Sequence, residues 1–203
     1  MQNSLVIAGA VPGQRLPAKE ISDRELMGLI ADKDNGAMRV LFGRHHVRVF
    51  RFVMRIVGNQ ETAEDLVSEV FLEIWREADR FEARSQVTTW MLGIARHKAL
   101  RALRRRSIAT NEENVLGSIE DPTDNPEVAM QKSERSALLR DCLKQLSPAH
   151  REIIDLVYYH ERSIGDVANI IGVPVNAVKT RMFYARKRIA ELMAARGIEP
   201  TWL

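Results

Sequence analysis

One cysteine, Cys142, stands in 203 residues. A lone thiol excludes an intrachain disulfide framework and fits a reducing compartment, so a cytoplasmic protein held by its core is expected. Proline is absent between Pro17 and Pro122, and no run alternates apolar and polar residues as a half-buried strand does. That disfavours sheet architectures. Long apolar stretches are lacking as well. The uninterrupted run LVIAGAV at 5–11 has no basic flank before it and is far too short to cross a bilayer, so no membrane insertion is expected. The histidines at 45, 46, 97, 150 and 160 show no metal-ligand spacing with Cys142. Adjacent His45 and His46 point in different directions on a helix. A glycine-rich phosphate loop and a nucleophile motif are also missing. Accordingly no metal, no cofactor and no catalytic residue are expected, and the chain does not read as an enzyme.

What is present is charge, sorted into blocks. The net charge is only +3, but residues 59–82 carry eight acids against two bases, and 96–106 carry six Arg or Lys and no acid. Residues 111–134 are acidic again, seven against one, and 179–188 hold five bases and no acid. Such blocks assign different surfaces to different partners, the basic ones suited to phosphate.

The apolar periodicity is helical throughout, which predicts an all-α protein. ISDREL at 21–26 is a strong helix start: Ser22 caps, and Glu25 stands three residues on. Further helices are predicted over about 36–57, ending at Gly58, then 62–80 and 88–106, which makes a four-helix module over 22–106. Residues 1–21, with Pro12, Gly13 and Pro17, read as a mobile tail. Residues 107–132 combine acids, Asn, Pro122 and Pro126 and read as a flexible linker. A second module at 133–195 holds a helix over 133–146 and another capped by Ser147-Pro148. A short helix follows, opened by Ser163 and Asp166 and ended by Gly172, and then a long one from Val175 to Ala195. Residues 196–203 form a C-terminal tail.

A short helix, a glycine turn and a longer helix make a helix-turn-helix. On a helical wheel Val178, Met182, Ala185, Ile189 and Leu192 share the inward side. Asn176, Thr180, Phe183, Tyr184 and Lys187 share the outward side, flanked by Lys179 with Arg186 and by Arg181 with Arg188. Outward Asn, Thr and Lys suit base edges in a major groove, and the flanking cations suit phosphates.

Upstream, TAEDLVSEVFLEIWREADR at 62–80 has a core face of Ala63, Val67, Val70, Ile74 and Ala78, widened by Leu66 and Phe71. Leu72 falls on the opposite side among Asp65, Ser68, Glu69 and Arg76, as suits docking to a basic protein. The next helix buries Leu92, Ala95, Ala99 and Leu103. It presents Trp90, Ile94, His97, Lys98, Arg101, Arg104 and Arg105, interleaving aromatic and basic groups as single-stranded DNA binders do. Trp90 keeps two readings: stacking on an unpaired base, or packing inward.

Taken together, AEDLVSEVFLEIW (63–75), RFEARSQVTTWMLGIARHKALRALRR (80–105) and LSPAHREIIDLVYYHERSIGDVANIIGVPVNAVKTRMFYARKRIAEL (146–192) resemble the extracytoplasmic-function (ECF) sigma factors of bacterial RNA polymerase, group 4 of the sigma-70 family. The resemblance implies that 22–106 is sigma region 2 and 133–195 is sigma region 4. It implies core RNA polymerase as partner, through the largest-subunit clamp helices and the flap, with Asp65, Leu66, Ser68, Glu69 and Leu72 at the clamp contact. It implies promoter DNA as the second partner. Glu82, Ala83, Arg84, Ser85, Gln86 and Val87 would capture a flipped base of the −10 element, and Trp90, His97, Lys98 and Arg101 would hold the strand. His97 stands where the family commonly has Asn. Asn176, Lys179, Thr180, Arg181, Phe183, Tyr184 and Lys187 would meet the −35 element, Tyr184 replacing a frequent Arg. An anti-sigma factor is the third partner implied. A stand-alone helix-turn-helix regulator is the alternative, but it leaves 62–106 unexplained.

Overall fold

The computed structural model describes residues 21–110 and 133–197. The tail expected before Ile21, the linker from 111 to 132 and the chain beyond Gly197 lie outside the described residues. Within them the secondary structure is helical, with no strand.

Local chemistry sets the helix ends. Helix α1 (Asp23–Ala31) opens with a full capping box: the Glu25 amide donates to the Ser22 hydroxyl at 3.2 Å, and the Ser22 amide donates to the Glu25 carboxylate at 2.8 Å. Helix α2 (Asn35–Val57) starts where Asp34 Oδ1 accepts from the amides of Gly36 and Ala37, and stops at Gly58, whose φ of 67° is left-handed. Asn59 then caps α3 (Gln60–Glu77) through the Thr62 amide, 2.8 Å away. A 3₁₀ turn, Ala78–Arg80, leads into the loop before α4 (Val87–Thr110). Helix α4 runs past Arg106 into the stretch expected as linker. Ser107 to Thr110 contain neither Gly nor Pro, and adding residues to an existing helix costs little beside nucleating one.

The second module comprises α5 (Ser133–Lys144), α6 (Pro148–Ile154), α7 (Ile164–Ile171) and α8 (Val175–Ala194). Ser147 caps α6 with Pro148 at its first position, and Ser163 caps α7 through the Asp166 amide at 3.1 Å. A wider π-type turn, Asp155–Tyr159, follows α6, and Gly172, left-handed at φ 70°, ends α7.

Leu26, Ile30, Leu41, Phe52, Val70, Ile74 and Leu92 fill the first module, and Leu146, Ile153, Leu156, Val167, Val178 and Ala185 fill the second. These sets are continuous, one core running through both. The tethered pair expected from sequence is therefore a docked pair here. Helix α4 packs on α7, Phe52 of α2 meets the buried His160 ring edge-on at 5.3 Å, and Arg55 of α2 pairs with Asp155. Each large apolar side chain buried across such a boundary contributes about 1.5–3 kcal/mol.

Candidate polymerase and nucleic-acid interfaces

Three faces on this scaffold carry the residues singled out above. The first is the outer side of α3. Its capped start and the inward stripe of Ala63, Val67, Val70, Phe71 and Ile74 fix the helix's rotation. Asp65, Ser68 and Glu69 are thereby left exposed, with Leu72 46% exposed among them. Leu66 is different: at 6% exposure it lies in the core and cannot be a docking residue. Its burial agrees with the widened core face read from the periodicity and departs from the contact that the resemblance implied. Phe42 of α2 borders this side. It is exposed, stacked on His46 at 4.8 Å and edge-on to Phe71 at 4.8 Å, an apolar feature the periodicity did not mark.

The second face is the loop before α4 and the helix's outer side. Ala83 holds a left-handed φ of 53°, uncommon for a residue with a Cβ, and the turn it makes leaves Glu82 and Arg84 exposed and paired with each other. Ser85 is half-buried. Gln86 starts the helix, its carbonyl accepting from the amides of Thr89 and Trp90 at 3.0 and 3.1 Å. Val87, 5% exposed, points into the core and leaves the DNA-facing set. As the first residue of α4 it anchors the helix start on the core. Trp90 is half-buried with its ring 5.3 Å from Phe81, so it packs more than it projects.

His97 and Arg101 are exposed. Lys98 is not free in the same way: its ammonium lies 2.8 Å from Glu73 and 3.3 Å from Glu69. Burial pushes its pKa down, but the hydrogen bonds and charges of Glu73 and Glu69 outweigh that and hold it above the ordinary lysine value. Lys98 thus ties the basic helix to the acidic one.

The third face is the outside of α8. Val178, Met182, Ala185, Ile189 and Leu192 are buried, as the wheel predicts, and Asn176, Lys179, Thr180, Tyr184 and Lys187 are exposed. Phe183 is 63% exposed and meets Tyr184 edge-on at 5.4 Å. Arg181 is half-buried on the flank. Beside Tyr184 and Lys187 an open groove is lined by Gln145, Ser147 and His150, residues that sequence spacing did not connect with α8.

One set of contacts has no signal in the sequence at all. The Arg162 guanidinium donates to Gln86 Oε1 at 2.7 Å and to Thr88 Oγ1 at 2.6 Å. The Thr89 hydroxyl donates to Asp166 Oδ1 at 3.0 Å. Partners 74 to 77 residues apart leave no periodic trace. Among the described residues no group of three or more His, Cys, Asp or Glu is placed to hold a metal, and no helix is long and apolar enough to cross a membrane.

Comparison with known proteins places this geometry. A model of sigma-70 region 2 matches residues 41–108, and a model of sigma-70 region 4 matches residues 136–189. The ECF RNA polymerase sigma factor SigL of Mycobacterium tuberculosis is 30% identical over 166 residues, covering 79% of this chain and 91% of that protein. The ECF RNA polymerase sigma factor SigK of Mycobacterium sp. (strain KMS) is 25% identical over 171 residues, 83% of this chain and 89% of the relative. Among solved structures, the sigma factor RpoE of Bartonella quintana, in complex with the anti-sigma factor NepR, superposes with a TM-score of 0.62. It is 26% identical and covers 77% of this chain and 96% of its own.

Proposed function

The chain belongs to the ECF sigma factors of bacterial RNA polymerase, and we propose that its three faces divide the work of initiation among them. A sigma factor binds core polymerase and directs it to promoters. Here Asp65, Ser68, Glu69 and Leu72 of α3 take the basic clamp helices of the largest subunit. The exposed Leu72 supplies an apolar anchor, and the surrounding acids supply steering and register. Glu82, Arg84 and Gln86, with His97 and Arg101, hold the −10 element. On α8, Asn176, Thr180 and Phe183 face bases of the −35 element, while Lys179, Arg181 and Lys187 neutralise phosphates. Opening the duplex needs no catalytic group in the sigma factor, only a surface that binds the extruded base better than the stacked one. The protein acts in the cytoplasm, without enzymatic activity of its own.

The observation that carries this reading is the separation of charge: one acidic helix face with an exposed leucine, and two basic faces, on a single chain. RpoE of Bartonella quintana was solved with an anti-sigma factor bound. By the same logic an anti-sigma partner covers these faces when the present protein is held inactive. An electrophoretic experiment tests the assignment: promoter DNA should shift tightly with core polymerase plus this chain, and weakly with the chain alone. Tight binding by the chain alone would identify a stand-alone regulator instead. Leu72→Arg should weaken core binding tenfold or more, about 1.4 kcal/mol, because it sets a cation against a basic partner. Unchanged affinity would remove α3 from the interface.

A further inference from the structure

We propose that the groove between the start of α6 and the later turns of α8 is a seat for a DNA backbone phosphate beside the −35 element, formed by His150 together with Lys187. Ser147 and His150 stand on one wall, and Tyr184, Lys187 and Arg188 stand on the other. The volume, about 430 Å³, takes a phosphodiester with several waters of about 30 Å³ each. Its polar groups suit an anion. Among the described residues no acid pairs with the Lys187 ammonium, and nothing bonds the His150 ring. The Ser147 hydroxyl oxygen accepts from the His150 amide at 3.4 Å, which leaves its hydrogen to donate. Glu191 is the acid on the wall, and Arg188 offsets its charge at 3.2 Å. Gln145 has its amide on the Asp141 carbonyl and serves as wall only.

Position along α8 says which anion this is. A recognition helix reads base edges from its N-terminal end, here Asn176, Thr180 and Phe183. Lys187 lies about 16.5 Å beyond Asn176 along the axis, at 1.5 Å per residue. The major groove is only about 12 Å wide. With its first turns on base edges, α8 therefore carries Lys187 to the sugar-phosphate ridge that borders the groove. Tyr184 and Lys187 belong at once to this seat and to the exposed side of α8, so the two surfaces are continuous. The opposite wall comes from a different helix. A ridge held between α6 and α8 cannot pivot as it could on one helix, and phosphate contacts of this kind fix register without reading sequence. The proposal rests on the −35 assignment of α8 and adds a second helix, α6, to the DNA contact.

His150→Glu is the informative change. Position 150 is the third of α6, behind the Ser147 cap and Pro148, where a glutamate completes a capping box with the serine. The variant should therefore keep or raise its urea midpoint while setting a carboxylate against the phosphate. The probe is a promoter duplex mapped by transcription in vitro, bound by the full chain assembled with core polymerase. Its affinity should fall about fivefold in His150→Glu. A methylphosphonate, which makes one backbone position neutral, is then placed in turn at each phosphate flanking the −35 element. At a single phosphate, or a neighbouring pair, the penalty of His150→Glu should vanish, and elsewhere it should persist. Wild-type affinity in His150→Glu, or a penalty that survives every methylphosphonate, would overturn the seat. So would weaker core polymerase binding with unchanged promoter binding by the assembled enzyme, which would give the groove to an acidic protein segment instead. Thr180→Ala combined with Phe183→Ala keeps the two readings apart. If −35 preference survives that pair, the assignment of α8 falls and the seat falls with it. Lost preference there, beside wild-type binding in His150→Glu, overturns the seat alone.

Discussion

The two basic helices of this molecule, α4 and α8, are built from similar material and supported differently. Both α4 and α8 are long helices with an apolar inner stripe and a basic outer side. Yet α8 presents Phe183, Tyr184 and Lys187 to solvent, whereas the start of α4 is bonded to the second module through Gln86, Thr88 and Thr89. Duplex recognition at −35 needs a preformed rigid helix that is ready on encounter. At the start of α4 the second module ties down Thr88 and Thr89, while Gln86 beside them stays exposed.

The largest test of the contrast removes a contact that joins the two modules. Asp155 is nearly buried and neutralises Arg55 across the module boundary. Asp155→Ala leaves that guanidinium uncompensated and should cost about 3 kcal/mol of stability, read as a lower urea midpoint. A change within a few tenths of a kcal/mol would show that water already solvates Arg55. The α8 face is probed by Thr180→Ala combined with Phe183→Ala. Both are surface residues, so the urea midpoint should stay put while −35-dependent transcription falls about thirtyfold, near 2 kcal/mol. Full activity in the combined variant would mean that the other face of α8 meets the DNA.

Acidity gives the smallest and most selective probe. His160 is enclosed by Phe52, Arg48 and Arg55 from α2, by Asp155 and Tyr159 of the π turn, and by Arg162. Burial first, then Arg55, Arg48 and Arg162, pushes its pKa down to about 3. Asp155 lies 3.3 Å away and would favour the charged ring, but it is committed to Arg55. An exposed imidazole titrates near 6.5. A depressed histidine pKa stabilises the packed form fully above about pH 6.5, and that stability is lost as pH falls toward 3. At pH 5.5 the packing equilibrium should be about tenfold weaker than at pH 7.5. Equal urea midpoints at the two values would show that the ring is not released on unpacking.

Much of this was readable beforehand, for reasons particular to each residue. The inward stripe of α8 declares itself because a half-exposed helix must repeat its apolar residues every 3.6 positions. Ser22, Ser147, Ser163, Gly58 and Gly172 mark helix ends because caps and left-handed turns are local chemistry. Leu66 was placed inward by periodicity and at the clamp contact by the resemblance, and its burial follows the periodicity. Val87 was misread because a loop motif does not reveal which of its residues turns inward. Trp90 leans to the packed alternative through Phe81, a neighbour that became one only after the 3₁₀ turn and loop folded back.

By itself, then, the sequence determined the all-α class, the helix boundaries within a few residues, the charged faces and the resemblance to ECF sigma factors. Each depends on interactions within a few residues of the chain or on a pattern repeated along it. Tertiary structure alone decided that Lys98 binds Glu69 and Glu73, that Arg162 reaches Gln86 and Thr88, and that the two modules share one core. Such contacts join positions far apart in the chain, and each is fixed by where whole helices come to rest. A side chain's identity says what it can bind, and only the packed fold says which partner is within reach.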